Sequence, residues 1–357
     1  MFSLIQIGGY MVEESVRKRP GRLLKIIIII LCVLAFLLAG TVIAFSVSPV
    51  AGSMLIRAMF DKPPAPPPSG MEYENEVIAS KDISYGGSRD ELFDLYLPAE
   101  GAGPLPLIIW VHGGAFVGGD KADVEFLARA IAVNGYAVAS INYSRAPEAG
   151  YPTPVLQTGK AYDFLTSGTY PGSERVDTRR IFLAGDSAGA HITAQLAILQ
   201  TNLPQREAFL STHKAPDFTA PISGDVLKGV LLYCGPYSIP KLLDAEHPLL
   251  KFLVSQTGWA YFKDRNPAQS PFANEADIIQ HVTADFPPAF ITDGNTLSFP
   301  EHAKELAERL SALGVSISEL YFDDSPEDVP HEYQFDLRGE AGQTALEYAL
   351  EFLRRLS

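Results

Sequence analysis

Cysteine is almost missing from this chain. Its 357 residues hold two, Cys32 and Cys234, too few and too far apart for a disulfide framework or a metal-ligand cluster. Neither a structural disulfide nor a metal site is expected. Positive charge is also short, with 28 Lys and Arg against 42 Asp and Glu for a net charge of −14. An acidic chain repels phosphate backbones, which excludes nucleic acid as a partner. Signs of disorder are lacking as well: with 47% hydrophobic residues the chain can bury the core of one large α/β domain or two small ones.

One apolar run is present in excess. Ile26 to Val47 is unbroken apart from Thr41 and Ser46, long enough for a helix to cross a hydrocarbon core of about 30 Å. Absence of a polar face disfavours a buried core helix. A signal-peptide core is usually shorter, about 7–15 residues, so an uncleaved anchor is the first reading and cleavage near Ala44 to Ser48 the second. Arg17, Lys18, Arg19, Arg22 and Lys25 precede the run, whereas only Arg57 and Lys62 follow closely. The positive-inside bias puts residues 1–25 in the cytoplasm, 26–47 in the membrane and the rest on the other side. Charge divides the same way, since 23 Lys and Arg against 40 Asp and Glu remain after residue 25.

Residues 48–70 read as a juxtamembrane segment and a stiff linker, because Pro63-Pro64-Ala65-Pro66-Pro67-Pro68 favours extended backbone. Whether Met54 to Phe60 extends the anchor or lies at the interface is left open. A domain is expected over 71–357. It begins with a β-meander, Val77-Ile78-Ala79, Lys81 to Tyr85 and Leu92 to Leu97, where alternating apolar positions are flanked by Gly and Pro. Leu105 to Val111 is mostly apolar, as a strand buried on both faces should be.

Two glycine loops carry the chemistry. The first, His112-Gly113-Gly114-Ala115-Phe116, follows that strand directly; adjacent glycines there let N–H groups point into a site unobstructed, as an oxyanion requires. The second, Gly185-Asp186-Ser187-Ala188-Gly189, lies between the apolar Ile181 to Ala184 and the helical Ala190 to Leu196. Strand, sharp turn and helix with a serine at the apex is the nucleophile-elbow pattern. Alternation of strands and helices with short connections implies a parallel sheet, whose sites lie at the carboxyl ends of the strands.

The order of these loops, with Gly135 to Glu148 between them, resembles the hormone-sensitive-lipase-like branch of the α/β-hydrolases over roughly residues 75–355. Most members are carboxylesterases and lipases. The resemblance implies an α/β-hydrolase fold with a mostly parallel central sheet flanked by helices, Ser187 as nucleophile, and an oxyanion hole from the N–H groups of Gly113, Gly114 and Ala188. Asp186, next to Ser187 on a tight turn, should point elsewhere, and His191 should pack rather than react.

Farther on, Ser211 to Gly224 reads as loop, Val226 to Cys234 and Pro287 to Gly294 as strands, Glu301 to Leu313 as an amphipathic helix, and Val315 to Phe322 as the last strand. Residues 236–285, rich in aromatics such as Tyr237, Phe252, Trp259, Tyr261, Phe262 and Phe272, read as a cap insertion over the site. His331, in the loop after the last strand, is where this fold places its general base. The acid is less plain. The family's aspartate would fall near Thr296 or Leu297, neither of them a carboxylate, which leaves Asp293 as first candidate and Glu301 as second. Asp323 and Asp324 lie too close to the His331 loop in sequence.

A membrane-anchored serine esterase without cofactor or metal is therefore expected, acting on a small-molecule or lipid ester of short or medium acyl length. Amide or formamide hydrolysis, or a hydrolase-fold interaction domain, are the alternatives. Oligomeric state is not encoded in any feature of the chain.

Overall fold

A computed structural model of the protein describes residues 6–7, 10–11, 21–60, 66–67, 69–101, 103–244 and 248–357. Arg17, Lys18 and Arg19, and Pro63, Pro64, Ala65 and Pro68 of the expected linker, lie outside these residues, as does His247. The chain divides into two compact units, Met1–Ser48 and Pro49–Ser357.

The first unit is dominated by helix α1, Arg22–Val47, which contains the expected apolar run. It is long and apolar enough to cross a membrane, and none of its residues is buried. Its two hydroxyls turn back onto the helix: Thr41 donates to Leu37 O (2.9 Å) and Ser46 to Val42 O (2.7 Å). Both hydroxyls are thereby satisfied inside the helix.

In the second unit eight strands form one sheet: β1 Val77–Ser84, β2 Leu92–Pro98, β3 Leu105–Val111, β4 Ala137–Ile141, β5 Val176–Asp186, β6 Leu227–Tyr233, β7 Ala289–Thr292 and β8 Ile317–Leu320. The strand order is β8-β7-β6-β5-β3-β4-β2-β1. Strands β3 to β8 pair in parallel, whereas β1 and β2 run antiparallel at one edge. The meander has two strands rather than three: the segments expected over 77–79 and 81–85 are one strand, bent by a register shift between Ser80 and Ile83 with Asp82 at φ 54°.

Period-two alternation sorts β3 between the two faces. Leu107, Ile109 and Val111 join the core under helices α4 (Thr153–Ser167) and α5 (Ala188–Thr201), and Ile108 and Trp110 the core under α3 (Glu125–Ala132) and α12 (Glu340–Leu356). Both faces are covered, which is why β3 has no polar position. The polar stretch expected as loop over 211–224 begins inside a helix, α6 (Leu203–His213), whose first turn is capped by Asn202 accepting from Gln205 N–H (3.2 Å). The expected cap holds α7 (Ile239–Leu243), α8 (Pro248–Phe262), α9 (Pro271–Glu275) and α10 (Ile278–His281); α11 (Pro300–Ala312) follows β7.

The segment left open between anchor and interface is a helix of its own. Helix α2, Val50–Phe60, packs on α8 and belongs to the same compact unit as the sheet, so that unit starts about twenty residues earlier than the expected boundary at 71. Arg57 fixes it there: Nη1 donates to Glu148 Oε1 (2.9 Å), Nη2 to Ala146 O (2.7 Å), and Nε to Val117 O. The guanidinium holds the Glu148 carboxyl below its usual range. Ile56, the preceding residue, is buried.

Candidate active site

Ser187 stands where β5 turns into α5, at φ 51° and ψ −120°. This left-handed conformation is costly for a residue with a side chain, and close packing holds it in place. A Cβ on Gly185 would lie 2.5 Å from Gly189 backbone, and one on Gly189 would run into the carbonyl of Val111. Only glycine at both positions lets α5 press against the end of β3. Ser187 N–H donates to Tyr233 O (2.8 Å), tying the turn to β6.

The His112–Phe116 loop lies at the carboxyl end of β3, as expected, but the donors are offset by one residue. Gly113 N–H points away from Ser187 and donates to Asp186 Oδ2 (2.7 Å), while Trp110 Nε1–H donates to Asp186 Oδ1 (2.7 Å). This corrects the assignment of Gly113 to an oxyanion hole, since its N–H is spent on a buried carboxylate. The N–H groups of Gly114 and Ala115 have no acceptor among the described residues, and Ala115 lines the cavity with Ser187 and Ala188. Gly114 (φ 102°) and Ala115 (φ 52°) reverse the chain here, and a Cβ at 114 would strike the backbone of Gly118. His112 braces the loop by stacking on Tyr143, with centroids 4.5 Å apart, and Tyr143 O–H donates to His112 O (3.1 Å). Burial pushes His112 down to about 4, so it is neutral.

His331 reaches the elbow from the loop after β8. Its Nε2 is 2.9 Å from Ser187 Oγ. Its Nδ1 meets neither expected carboxylate. Ser298 Oγ, 2.8 Å away, takes that place and in turn donates to Asp293 Oδ1. Asp293 therefore belongs to the site at one remove, with a serine between it and the imidazole. Glu301 does not belong: its side chain is 72% exposed on α11 and faces Lys304.

The loop's own bonding explains the placement. Asn295 and Thr296 donate their N–H groups to Val329 O (2.9 and 3.0 Å), and Asn295 Oδ1 accepts from Val329 N–H (2.8 Å). This clasp carries the His331 loop against the 293–299 loop, turns Leu297 to solvent at 93% exposure and swings residue 298 inward. Sequence reasoning missed Ser298, and the available signal was a hydrogen-bonding residue one place beyond the position where the family's aspartate was sought.

Charge around the site is controlled by burial. Burial pushes Asp293 up to about 6, opposed first by the Ser298 hydrogen bond, and pushes His331, a fifth exposed and facing an apolar cavity, down to about 4. Behind the Gly113 loop, buried Asp186 and half-buried Glu332 lie side by side. Burial raises both, Asp186 to about 6 and Glu332 well above the carboxylate range, where the Asp186 charge adds to the effect. Glu332 therefore keeps the proton and bonds Asp186, although its Oε1 lies only 4.0 Å from His331 Nε2. Asp186 does not contact His331, as expected. His191 also packs, buried against Phe116 with Nδ1 2.9 Å from Pro236 O.

Cys234, Asp293 and His331 offer three donor atoms within 4.8 Å of one another. Burial holds the Cys234 thiol well above its usual value, and both imidazole nitrogens are already engaged, so the donor set fits a metal poorly.

Ser187 opens onto an apolar cavity of about 150 Å³. Its walls come from the cap (Leu242, Leu253, Val254), from Phe299, and from Ile56 and Met59 of α2. None of the cap aromatics named from sequence lines it. Tyr261, for example, stacks beneath on Phe116, with centroids 4.1 Å apart.

The BD-FAE family profile matches residues 93–310, more than half of the chain. The chain belongs to the BD-FAE family. Its fold is that of the α/β-hydrolases, and the expected kinship with carboxylesterases of the hormone-sensitive-lipase-like type holds. Esterase B from Lactobacillus rhamnosis is similar in structure, with a TM-score of 0.66 over 89% of this chain and 93% of that one, at 20% identity. In sequence, the chain is similar to the probable isoprenylcysteine alpha-carbonyl methylesterase ICMEL1 of Arabidopsis thaliana, 26% identical over 71% of this chain and 52% of the relative. It is also similar to kynurenine formamidase of Danio rerio, 28% identical over 49% and 52%. The chain spans about half the length of these curated relatives.

Proposed function

We propose that this protein is a serine carboxylesterase that works through an acyl-enzyme. One observation carries the reading: Ser187 Oγ sits 2.9 Å from His331 Nε2 on the wall of an apolar cavity. His331 takes the Ser187 proton, and the alkoxide attacks the ester carbonyl. The N–H groups of Gly114, Ala115 and Ala188 receive the oxyanion. Protonated His331 then releases the alcohol, and water activated by the same imidazole frees the acid.

Asp293 and Ser298 act as positioning residues. Ionised Asp293 accepts the Ser298 proton, leaving the Ser298 oxygen free to accept from His331 Nδ1–H. This orientation keeps the Nε2 lone pair facing Ser187. The small cavity supports short or medium acyl chains.

A fluorophosphonate probe tests the reading. Wild type should label and Ser187→Ala should not. No labelling of wild type beside a reactive control esterase sinks the enzyme reading in favour of an interaction domain, and labelling of Ser187→Ala sinks the nucleophile. The kynurenine formamidase relationship favours a second reading, hydrolysis of an amide or formamide by the same residues. Rates on matched ester and formamide substrates decide between them.

We further read α1 as an uncleaved anchor with the N-terminus cytoplasmic, from the cations at 17–25 and the length of the apolar helix. N-terminal sequencing of the membrane-bound protein tests the anchor, and protease protection in sealed vesicles tests the side.

A further inference from the structure

Helix α2 exposes the wrong kind of surface for a helix in water. Its outward positions are Val50, Met54, Leu55, Ala58 and Met59, spaced as one face of a helix and wholly apolar. Met54 is 63% exposed, Leu55 47% and Met59 53%. Arg57, the single charge of the helix, is turned inward onto Glu148 and the carbonyls of Val117 and Ala146. A solvated helix has the opposite arrangement, with charge outside and apolar residues beneath.

The start of α8 continues the patch. Leu249 is 62% exposed and Leu250 36%, followed by exposed Lys251. Two of these residues, Met59 and Leu250, also line the cavity that holds Ser187. The exposed apolar surface and the apolar interior are thus continuous across the rim.

We infer that the outer face of α2 and the start of α8 dock on the bilayer surface, so that the cavity mouth opens into the apolar phase and the substrate is an amphiphilic ester resident in the membrane. This rests on the esterase reading and on α1 as an anchor. The bilayer is the occupant favoured by chain continuity, since only Ser48 and Pro49 separate α1 from α2. Two linking residues at about 3.5 Å each and an 11-residue helix at about 1.5 Å per residue keep the whole stripe within roughly 25 Å of the end of α1. Exposed Lys251 beside the leucines suits the headgroup layer. The ester's short acyl group would occupy the enclosed cavity while its long apolar alcohol stays among the lipid chains.

The test uses the full-length protein in phosphatidylcholine vesicles and two butyrate esters, one water-soluble (p-nitrophenyl) and one of a long-chain alcohol dissolved in the bilayer. The variant Met54→Ser/Leu55→Ser/Leu249→Ser alters the stripe at positions that do not line the cavity. It should keep its soluble-ester rate within about twofold and lose about tenfold on the vesicle ester, as expected when three partly inserted side chains lose their apolar transfer energy. Equal retention on both esters overturns the inference.

A second readout is independent of activity. A fluorophore on Leu55→Cys in a Cys32→Ser background should be quenched by a lipid-borne nitroxide and shielded from aqueous iodide. Quenching by iodide overturns the docking, as does shielding from both quenchers that fades on dilution, which would assign the face to a second copy. A wild type inactive on the soluble ester would instead sink the esterase reading, and the label alone would then decide the docking.

Discussion

The nucleophile half and the base half of this site are built by opposite means. Ser187 is placed by backbone: two glycines that admit no Cβ, a strand end and a helix start leave one position for the side chain. His331 is placed by side chains, through a Ser298 hydroxyl, a buried Asp293 and the Asn295 clasp. A backbone device tolerates no substitution and leaves a mark in the sequence. A side-chain relay can be built from several residue types and leaves little.

Ser187→Ala probes the first half and should have the largest effect, a loss of roughly 10⁵ or more in kcat on the soluble ester, as when a catalytic serine is removed elsewhere. Folding should survive, because the mutation keeps the Cβ and the Tyr233 bond. Asp293→Asn probes the second half and comes next, at roughly 10³–10⁴. The Asn amide would donate to Ser298 Oγ, whose proton would then turn towards His331 Nδ1. That forces the other tautomer, with the proton on Nε2, and removes the lone pair that Ser187 needs. If the loss is under about tenfold, Asp293 is only a structural residue and the relay is wrong.

Legibility follows the same division. The loops at Gly113–Gly114 and Gly185–Gly189, the parallel strands that lead into them and His331 all follow from local pattern, because backbone geometry restricts which residues can occupy those turns. The one-residue error at Gly113 arose because both glycines look alike in sequence; only the Asp186 carboxylate, distant in sequence, decides which N–H is free. Ser298 was hidden by its chemistry. A search for a carboxylate passes over a hydroxyl, and only the clasp to Val329 reveals that residue 298, not 297, faces inward. Helix α2 was hidden by its apolar outer face, which resembles the continuation of an anchor until Arg57 is seen to turn inward.

Ser298→Ala sharpens the comparison because it should cost less than Asp293→Asn despite lying closer to His331. It removes the acceptor for Nδ1–H without supplying a donor that enforces the wrong tautomer, so a loss of roughly 10–100-fold in kcat with little change in KM is expected. If Ser298→Ala proves the worse of the two, the tautomer account fails, and Ser298 must contribute something other than orientation.

The smallest effect is a pH dependence, and here activity and stability should move in opposite directions. As pH falls through about 6, Asp293 takes up a proton, the hydrogen-bond chain reverses as it does in the Asn variant, and kcat/KM of wild type should decline. That limb near 6 should be missing in Asp293→Asn, whose residual activity persists towards the lower value of His331, about 4. For stability the sign is reversed. A carboxyl whose folded value lies above its unfolded one stabilises the fold below the unfolded value, and that contribution is lost as pH rises through the folded value. At pH 7 an ionised, buried Asp293 therefore costs the fold on the order of 1–3 kcal/mol, while at pH 4 it costs almost nothing. His331, pushed down, acts the other way in both proteins and cancels in their difference. Denaturation of wild type and Asp293→Asn from pH 4 to 7 should show the Asn variant gaining relative stability as pH rises from about 4 and levelling off above the wild-type activity limb near 6. A constant difference across that range would mean that Asp293 does not titrate there, and the relay would lose the charge that gives it direction.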